Sequence, residues 1–506
     1  MGFLRTIIGL AMALTLCISS WGLLPSPGIA QEINPYLKQA TERVREFTLD
    51  NGLKFIVMEN RDAPVVSFFT YADVGGVDEP DGKTGVAHFL EHLAFKGTRE
   101  IGTTDYQAEK VILDRQDQVY DQIQAAKKSG KSAEVKQLSQ EFEKLQAQAN
   151  QFVKQNEFGQ IVERSGGVGL NAATSADATV YFYSFPANKL ELWMSLESER
   201  FLEPVFREFY KEKQVILEER RLRTDNNPVG QMIEAFIDKA FTKHPYKRPV
   251  IGYDEDIRNL TREDVTQFFN AYYPPNNLTI AIVGDVDAAK VEELAKIYFG
   301  RYTAKPKPNE NISIEPQQTA SREVDLTLPS QPWYFKGYHR PELNHPDNAI
   351  YEVITTLMSN GRTSRLYRSL VEDKQIALVA QGFNGFPGDK YPNLILFYAM
   401  TSPNGTLEEV QKALNQEIER LKTEPVSEKE LQRAKNQLRA QLLRTLNSNS
   451  GMAQALAEYD VKTGSWRNLF NQIDQFSAVS AEDIQRVAIS TFKEENSTIG
   501  RIQPAQ

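Results

Sequence analysis

Two histidines and a glutamate within five residues carry the strongest chemical signal in this chain. They are His88, Glu91 and His92, in the stretch GVAHFLEHLAFKGT from Gly85 to Thr98. Only five histidines occur in 506 residues, so composition alone does not place two of them around a glutamate in one pentapeptide. Ala87 to Phe95 is rich in helix formers and lacks Gly and Pro, which predicts one helix. On it His88 and His92 share a face, with Glu91 beside them. Two imidazoles so spaced can take two positions of a tetrahedral zinc ion. A third protein ligand then leaves the fourth position for water, and Glu91 is placed to take that water's proton. A histidine taken singly is more often a hydrogen-bonded core or surface residue. A pair with its glutamate on one helical face is a different pattern.

The elements that must position this helix are legible on both sides. Phe47 to Leu49 and Leu53 to Met58 flank Asp50-Asn51-Gly52, a hairpin signal. Val65 to Val74 reads as a further strand, followed by the turn-rich bridge Gly75 to Gly82. A third zinc ligand must come from elsewhere. The best helical carboxylate cluster lies in Tyr210 to Arg221, where Glu212 and Glu219 are seven residues, two turns, apart and share a face. Glu218 points roughly 100° away from Glu219. Acidic helix faces are common, so position alone leaves the third ligand open.

The segment from about Tyr106 to Glu157 is dense in Lys, Glu, Gln and Ala and breaks at Lys127 to Ser132. Val119, Ile123, Val135, Leu138 and Phe142 recur at helical intervals, which predicts a long helical hairpin projecting from the body. It is read either as a solvated spacer or as a docking element for a partner. Thr303 to Ala320, rich in Pro, Lys and Asn, reads as the main linker. An internal echo supports two related halves. Thr261-Arg262-Glu263-Asp264-Val265 precedes Asn277 to Ile280, and Ser480-Ala481-Glu482-Asp483-Ile484 precedes Asn496 to Ile499, each a capped helix leading to a strand.

A net charge of −9 offers no basic excess to displace counterions, which excludes general nucleic-acid binding. The first thirty residues read as an export signal peptide: Arg5 supplies a positive charge, Thr6 to Leu16 an apolar core, and Gly28-Ile29-Ala30 a cleavage site after Ala30. Leu16 before Cys17 argues against lipid attachment. Once the peptide is removed no cysteine is left, so the exported protein is held by its cores. No later stretch is long and apolar enough to cross a bilayer, which leaves no permanent transmembrane anchor.

His-Phe-Leu-Glu-His has the His-x-x-Glu-His order of the inverted zincins. It is followed by Ala-Phe-Lys-Gly-Thr, then a Gly-Gly-x-x-x-Asn-Ala-x-Thr strand from Gly166 to Thr174, then Glu212 and Glu219 around Val-Ile-Leu. Together these motifs resemble the pitrilysin/insulinase family of zinc peptidases, in its processing-peptidase-like, half-size branch. His244-Pro245-Tyr246 followed by Ile251-Gly252 is similar too. The resemblance covers most of Thr41 to Tyr298 and, more loosely, Glu323 to the end. It implies an α+β fold of two homologous halves, each a mostly antiparallel sheet covered by helices, with the helical hairpin inserted in the first. The divisions expected are the signal peptide at 1–30, a zinc-bearing domain at 41–300 with the insertion at about 106–157, a linker at 301–320, and a second, metal-free domain at 321–506. By the same resemblance His88, His92 and Glu219 hold one Zn2+ per chain, and Glu91 activates its water. Glu212 orients the site from outside the ligand set, and Asn171 and Ala172 lie on an edge strand that pairs with an extended substrate backbone.

Two departures stand out. The gap between His92 and Glu219 is longer than the family's, and the Lys/Gln-rich hairpin accounts for it. Active members also place an Arg and a Tyr from the second half over the substrate; the matching positions here are Val371 and Leu378. Arg365, Tyr367 and Arg368, a turn or two earlier, read as packing and surface residues. The expectation is an exported zinc endopeptidase, in the periplasm or an equivalent envelope compartment or secreted. It cuts peptides or unfolded protein segments as the zinc subunit of a heterodimer with an Arg/Tyr-bearing homologue, or as a homodimer. The alternative is a non-catalytic structural or assembly subunit of the same family.

Overall fold

The structure is a computed structural model that describes residues 40–308 and 311–505. The expected signal peptide at 1–30, with Cys17, lies outside the described residues. Val44–Gln506 forms one unit.

Two sheets organise it. The first runs β1 (Val44–Thr48), β2 (Lys54–Glu59), β3 (Val65–Ala72), β4 (Val168–Thr174), β5 (Thr179–Pro186) and β6 (Leu278–Gly284) in chain order, arranged in space as β1-β2-β6-β3-β5-β4. The second has β7 (Arg322–Leu328), β8 (Trp333–Arg340), β9 (Ala377–Phe386), β10 (Asn393–Thr401) and β11 (Ser497–Pro504), arranged as β7-β11-β8-β10-β9. All neighbours are antiparallel except β2–β6 and β7–β11. Without β1, the first sheet has the order and directions of the second, as two related halves require. In each half the last strand enters between earlier ones after a capped helix. Thr261 and Asp264 form a reciprocal capping box, as do Ser480 and Asp483, and each helix is followed by a short turn and then β6 or β11. The α+β class expected from the motifs is therefore the one observed.

Each half lends a helix to the other's sheet. Pro228–Ala240 lies against β7 and β11, while Asn449–Thr463 lies against β3 and β6. Met232 and Phe236 of the first share a buried cluster with Phe335, Leu394 and Ile502. Gly500 makes room for this contact, because a Cβ there would meet Met232 Sδ at 2.8 Å. On the other side Lys54 pairs with Asp460 at 2.7 Å, and Asn60 donates to Asn449.

The helices that matter for the site are α1 (Val86–Leu93), the hairpin arms α2 (Tyr106–Lys128) and α3 (Ser132–Asn150), α4 (Phe209–Arg220) and α5 (Arg262–Tyr272). The hairpin forms where its periodicity predicts, and its base is docked on the body. The inner arm α2 buries Glu109, Leu113, Gln116, Val119 and Ile123 along one stripe, and only the outer arm α3 is largely exposed. Its docking is polar: Arg262 donates to Asp114 and Asp117, and Tyr210 donates to Asp117. Apolar periodicity carries no sign of such partners. The stretch from 303 to 320 contains no helix or strand among the described residues.

Candidate metal centre

Helix α1 is set by what precedes it. Gly85 adopts φ +86°, and a Cβ there would meet the Ile251 carbonyl oxygen at 2.6 Å. The carboxylate of Glu79 accepts the N–H groups of Gly85 and Ala87, both at 2.9 Å, covering the amides that a helix start leaves unpaired. Burial pushes the Glu79 carboxyl up to about 8 despite those two hydrogen bonds. Phe89, Leu90 and Leu93 are fully buried and anchor one side of α1, which leaves His88, Glu91 and His92 on the other. Phe89 stacks on Phe209 of α4 with ring centroids 4.6 Å apart, so the two helices that carry the candidate ligands pack directly.

The rings of His88 and His92 are 4.8 Å apart. Glu219 Oε2 lies 3.8 Å from His88 Nε2 and 3.5 Å from His92 Nε2. One ligand atom from each residue falls within 4.8 Å of the other two. Atoms bound tetrahedrally to zinc stand about 3.4 Å apart, so the donor set of two imidazoles and one carboxylate fits the ion in chemistry, and Glu219 stands close to that spacing from both rings. Two turns before Glu219, Glu212 Oε1 is 2.8 Å from His92 Nδ1, and its Oε2 is 2.6 Å from Lys96 Nζ. A carboxylate only accepts, so His92 carries a proton on Nδ1, and its Nε2 faces Glu219. The second oxygen of Glu219 is 2.9 Å from Arg223 Nη1, on the π-helical turn that follows α4.

Ionisation follows the same geometry. Burial, with the charges of His92 and Arg223, lowers the His88 imidazole to about 3 and keeps it neutral. Burial lowers His92 too, but its hydrogen bond to Glu212 and the charges of Glu219, Glu212 and Glu91 outweigh that and raise it. Burial raises Glu212, and the hydrogen bonds of His92 and Lys96 bring it down to about 2. Burial raises Glu91 against a hydrogen bond from Thr174.

The structure thus brings His88, Glu91, His92, Glu212 and Glu219 to one place. Asn171 and Ala172 are outside this cluster, on β4, which is the edge strand of the first sheet. Ala172 is buried and Asn171 exposed, as alternation along a strand requires. The same strand ends at Thr174, whose hydroxyl donates to Glu91 Oε2 at 2.6 Å. Thr174, Lys96, Arg223 and Glu79 contact the candidate site or its helix, and the sequence alone assigned them no role. Thr174 stood in the quoted motif and Glu79 in the bridge before α1, but no spacing links either to the histidines. In the second half, Leu378 is half exposed on the edge strand β9, and Arg365 is buried against Glu430 at 3.1 Å.

The model of the insulinase family, peptidase family M16, matches residues 54–111 and 125–254, and that of the peptidase M16 inactive domain matches 259–438. The chain is 30% identical over 493 residues to the zinc protease PqqE of Helicobacter pylori, covering 95% of this chain and 97% of that protein. It is 25% identical over 504 residues to a probable mitochondrial-processing peptidase subunit beta of Arabidopsis thaliana, covering 95% and 82%. The crystal structure of a protease from Helicobacter pylori superposes with a TM-score of 0.77 at 30% identity, covering 91% of this chain and 99% of that one. The chain belongs to the insulinase family of peptidases, family M16.

Proposed function

We propose that this peptidase is a zinc endopeptidase in which His88, His92 and Glu219 hold the metal and Glu91 is the general base. The observation that carries the reading is the convergence of these three ligand atoms within 4.8 Å, from two helices far apart in sequence. Bound zinc supplies a Lewis acid that polarises the scissile carbonyl and lowers the pKa of water toward neutrality. Thr174 occupies Glu91 Oε2, which leaves Oε1 free to take the water's proton and to pass it to the leaving amine. Glu212 fixes the tautomer and orientation of His92 and is itself held by Lys96. Asn171 and Ala172 lie on a strand that is an edge of its sheet among the described residues, suited to an extended peptide or unfolded segment by strand addition.

The domain reading stays as proposed, a zinc-bearing part at 41–300 and a metal-free part at 321–506 joined by 301–320. The inactive-domain match begins at 259, clear of every residue assigned to the metal. This favours catalysis over a structural subunit. With Val371 and Leu378 where an Arg and a Tyr are expected, the chain works with a homologous Arg/Tyr-bearing partner. The leader-like first thirty residues support export to the periplasm or an equivalent compartment.

The test is cleavage of a quenched mixed-peptide library, with metal content measured on the same sample, for the protein and for Glu91→Gln. The variant should keep one zinc and lose at least about 100-fold in kcat. Peptide cleavage retained by Glu91→Gln would end the assignment of the base. A purified protein without zinc would end the assignment of the ligands.

A further inference from the structure

The insertion touches the metal-bearing helices from behind, through a continuous set of contacts. Tyr120 of α2 and Phe142 of α3 pack on Tyr210 of α4, with ring centroids 4.6 and 4.9 Å away. Tyr210 packs edge-on to Phe209 at 5.0 Å, and Phe209 stacks on Phe89, the residue between His88 and Leu90. An aromatic column therefore runs from the insertion, through the first turn of α4, into the His-x-x-Glu-His helix.

Polar contacts follow the same route. Lys213, beside Glu212, is 3% exposed and turns its ammonium away from the metal side. It donates to Tyr120 Oη at 3.0 Å and to the carbonyls of Arg258 and Leu260, and it lies over the rings of Tyr120 and Phe209. Asp117 accepts from Tyr210 Oη at 2.8 Å and from the Arg262 guanidinium at 2.6 Å. A solvated spacer needs none of these pairings.

We infer that the insertion is a brace for the metal centre, with Asp117 and Tyr120 as positioning residues that act through Tyr210 and Lys213. This rests on the metal reading above. A polar contact one shell beyond a ligand sets the ligand's orientation, and its loss typically weakens metal binding 10–100-fold. Here the contact is one step further out, and it holds the whole of α4 rather than one side chain. Glu212 and Glu219 share that helix, so a small rotation of it would move both relative to His92.

The experiment compares the purified protein with Asp117→Ala and with Tyr120→Phe, which removes one hydroxyl and no volume. Two readouts are taken: zinc release into excess chelator, and hydrogen exchange of the metal-free protein. The brace predicts release about tenfold faster. It also predicts exchange about tenfold faster in peptides covering 86–95 and 209–220, with 393–401 unchanged. A merely stabilising role would instead speed exchange everywhere alike. Faster exchange confined to 106–150, with release and both site peptides unchanged, would overturn the inference. If the unaltered protein binds no zinc, the metal reading fails, and the exchange of 86–95 and 209–220 decides the brace alone.

Discussion

The hydroxyl of Thr174 and the carboxylate of Glu91 are joined by a 2.6 Å hydrogen bond across 83 residues of chain. Strand β4 and helix α1 thereby fix one oxygen of the Glu91 carboxylate. Thr174→Val keeps the shape and removes the donor. Hydrogen bonds to charged groups are worth about 1.5–3 kcal/mol, so kcat should fall about 10–100-fold with metal content unchanged. An unaltered kcat would mean that Glu91 needs no such restraint.

Glu212 spans His92 and Lys96 with its two oxygens. Glu212→Gln offers an amide nitrogen where one acceptor stood, so it satisfies at most one of those donors. Zinc affinity should drop about 10–100-fold while the fold is kept. Competition with a chelator of known affinity measures it, and an unchanged affinity would remove Glu212 from the site.

Arg207 is 1% exposed and holds Glu109 together with the carbonyls of Lys96, Thr98 and Ile101. Arg207→Ala leaves a buried carboxylate unpaired and should cost about 3–5 kcal/mol in denaturant unfolding. The double variant Glu109→Gln with Arg207→Met should recover part of that, because no charge is left alone. Equal losses for the single and double variants would locate the cost in the carbonyls instead.

Acid sensitivity has a named contributor in the second half. Burial pushes the Glu430 carboxyl up, but hydrogen bonds from Arg365 and Ser427, with the Arg365 charge, bring it down to about 2 from 4.5. Its folded-state pKa is below its unfolded one. Its contribution is therefore full above about pH 4.5 and is lost as pH falls toward 2. Glu430→Gln should lower Tm at neutral pH and flatten the decline between pH 4.5 and 2. Parallel Tm curves for both proteins over that range would contradict this.

What was legible in the sequence has a common physical character: it lies within one element. His88, Glu91 and His92 share a helical face, Glu212 and Glu219 share another, and Thr261 and Ser480 cap the helices that they precede. The expected hairpin arms also formed. What was not legible depends on which element meets which. The Thr174 hydroxyl, the Lys96 ammonium and Arg223 reach the site only after folding. Polar residues such as Asp117 and Tyr120 look like any solvated helix face until Arg262 and Lys213 arrive opposite them. Nor does the apolar face of Pro228–Ala240 say that its sheet belongs to the other half.

That exchange of helices bears on how the molecule must be made. A chain cut within 301–320 would yield two fragments, each with a bare sheet and an orphan helix suited only to the other. Phe335, Leu394 and Ile502 would face water in one fragment, and Met232 and Phe236 in the other. Neither piece is expected to stay soluble by itself, yet the two synthesised together should recombine into the native form. By this swap the two halves have become interdependent.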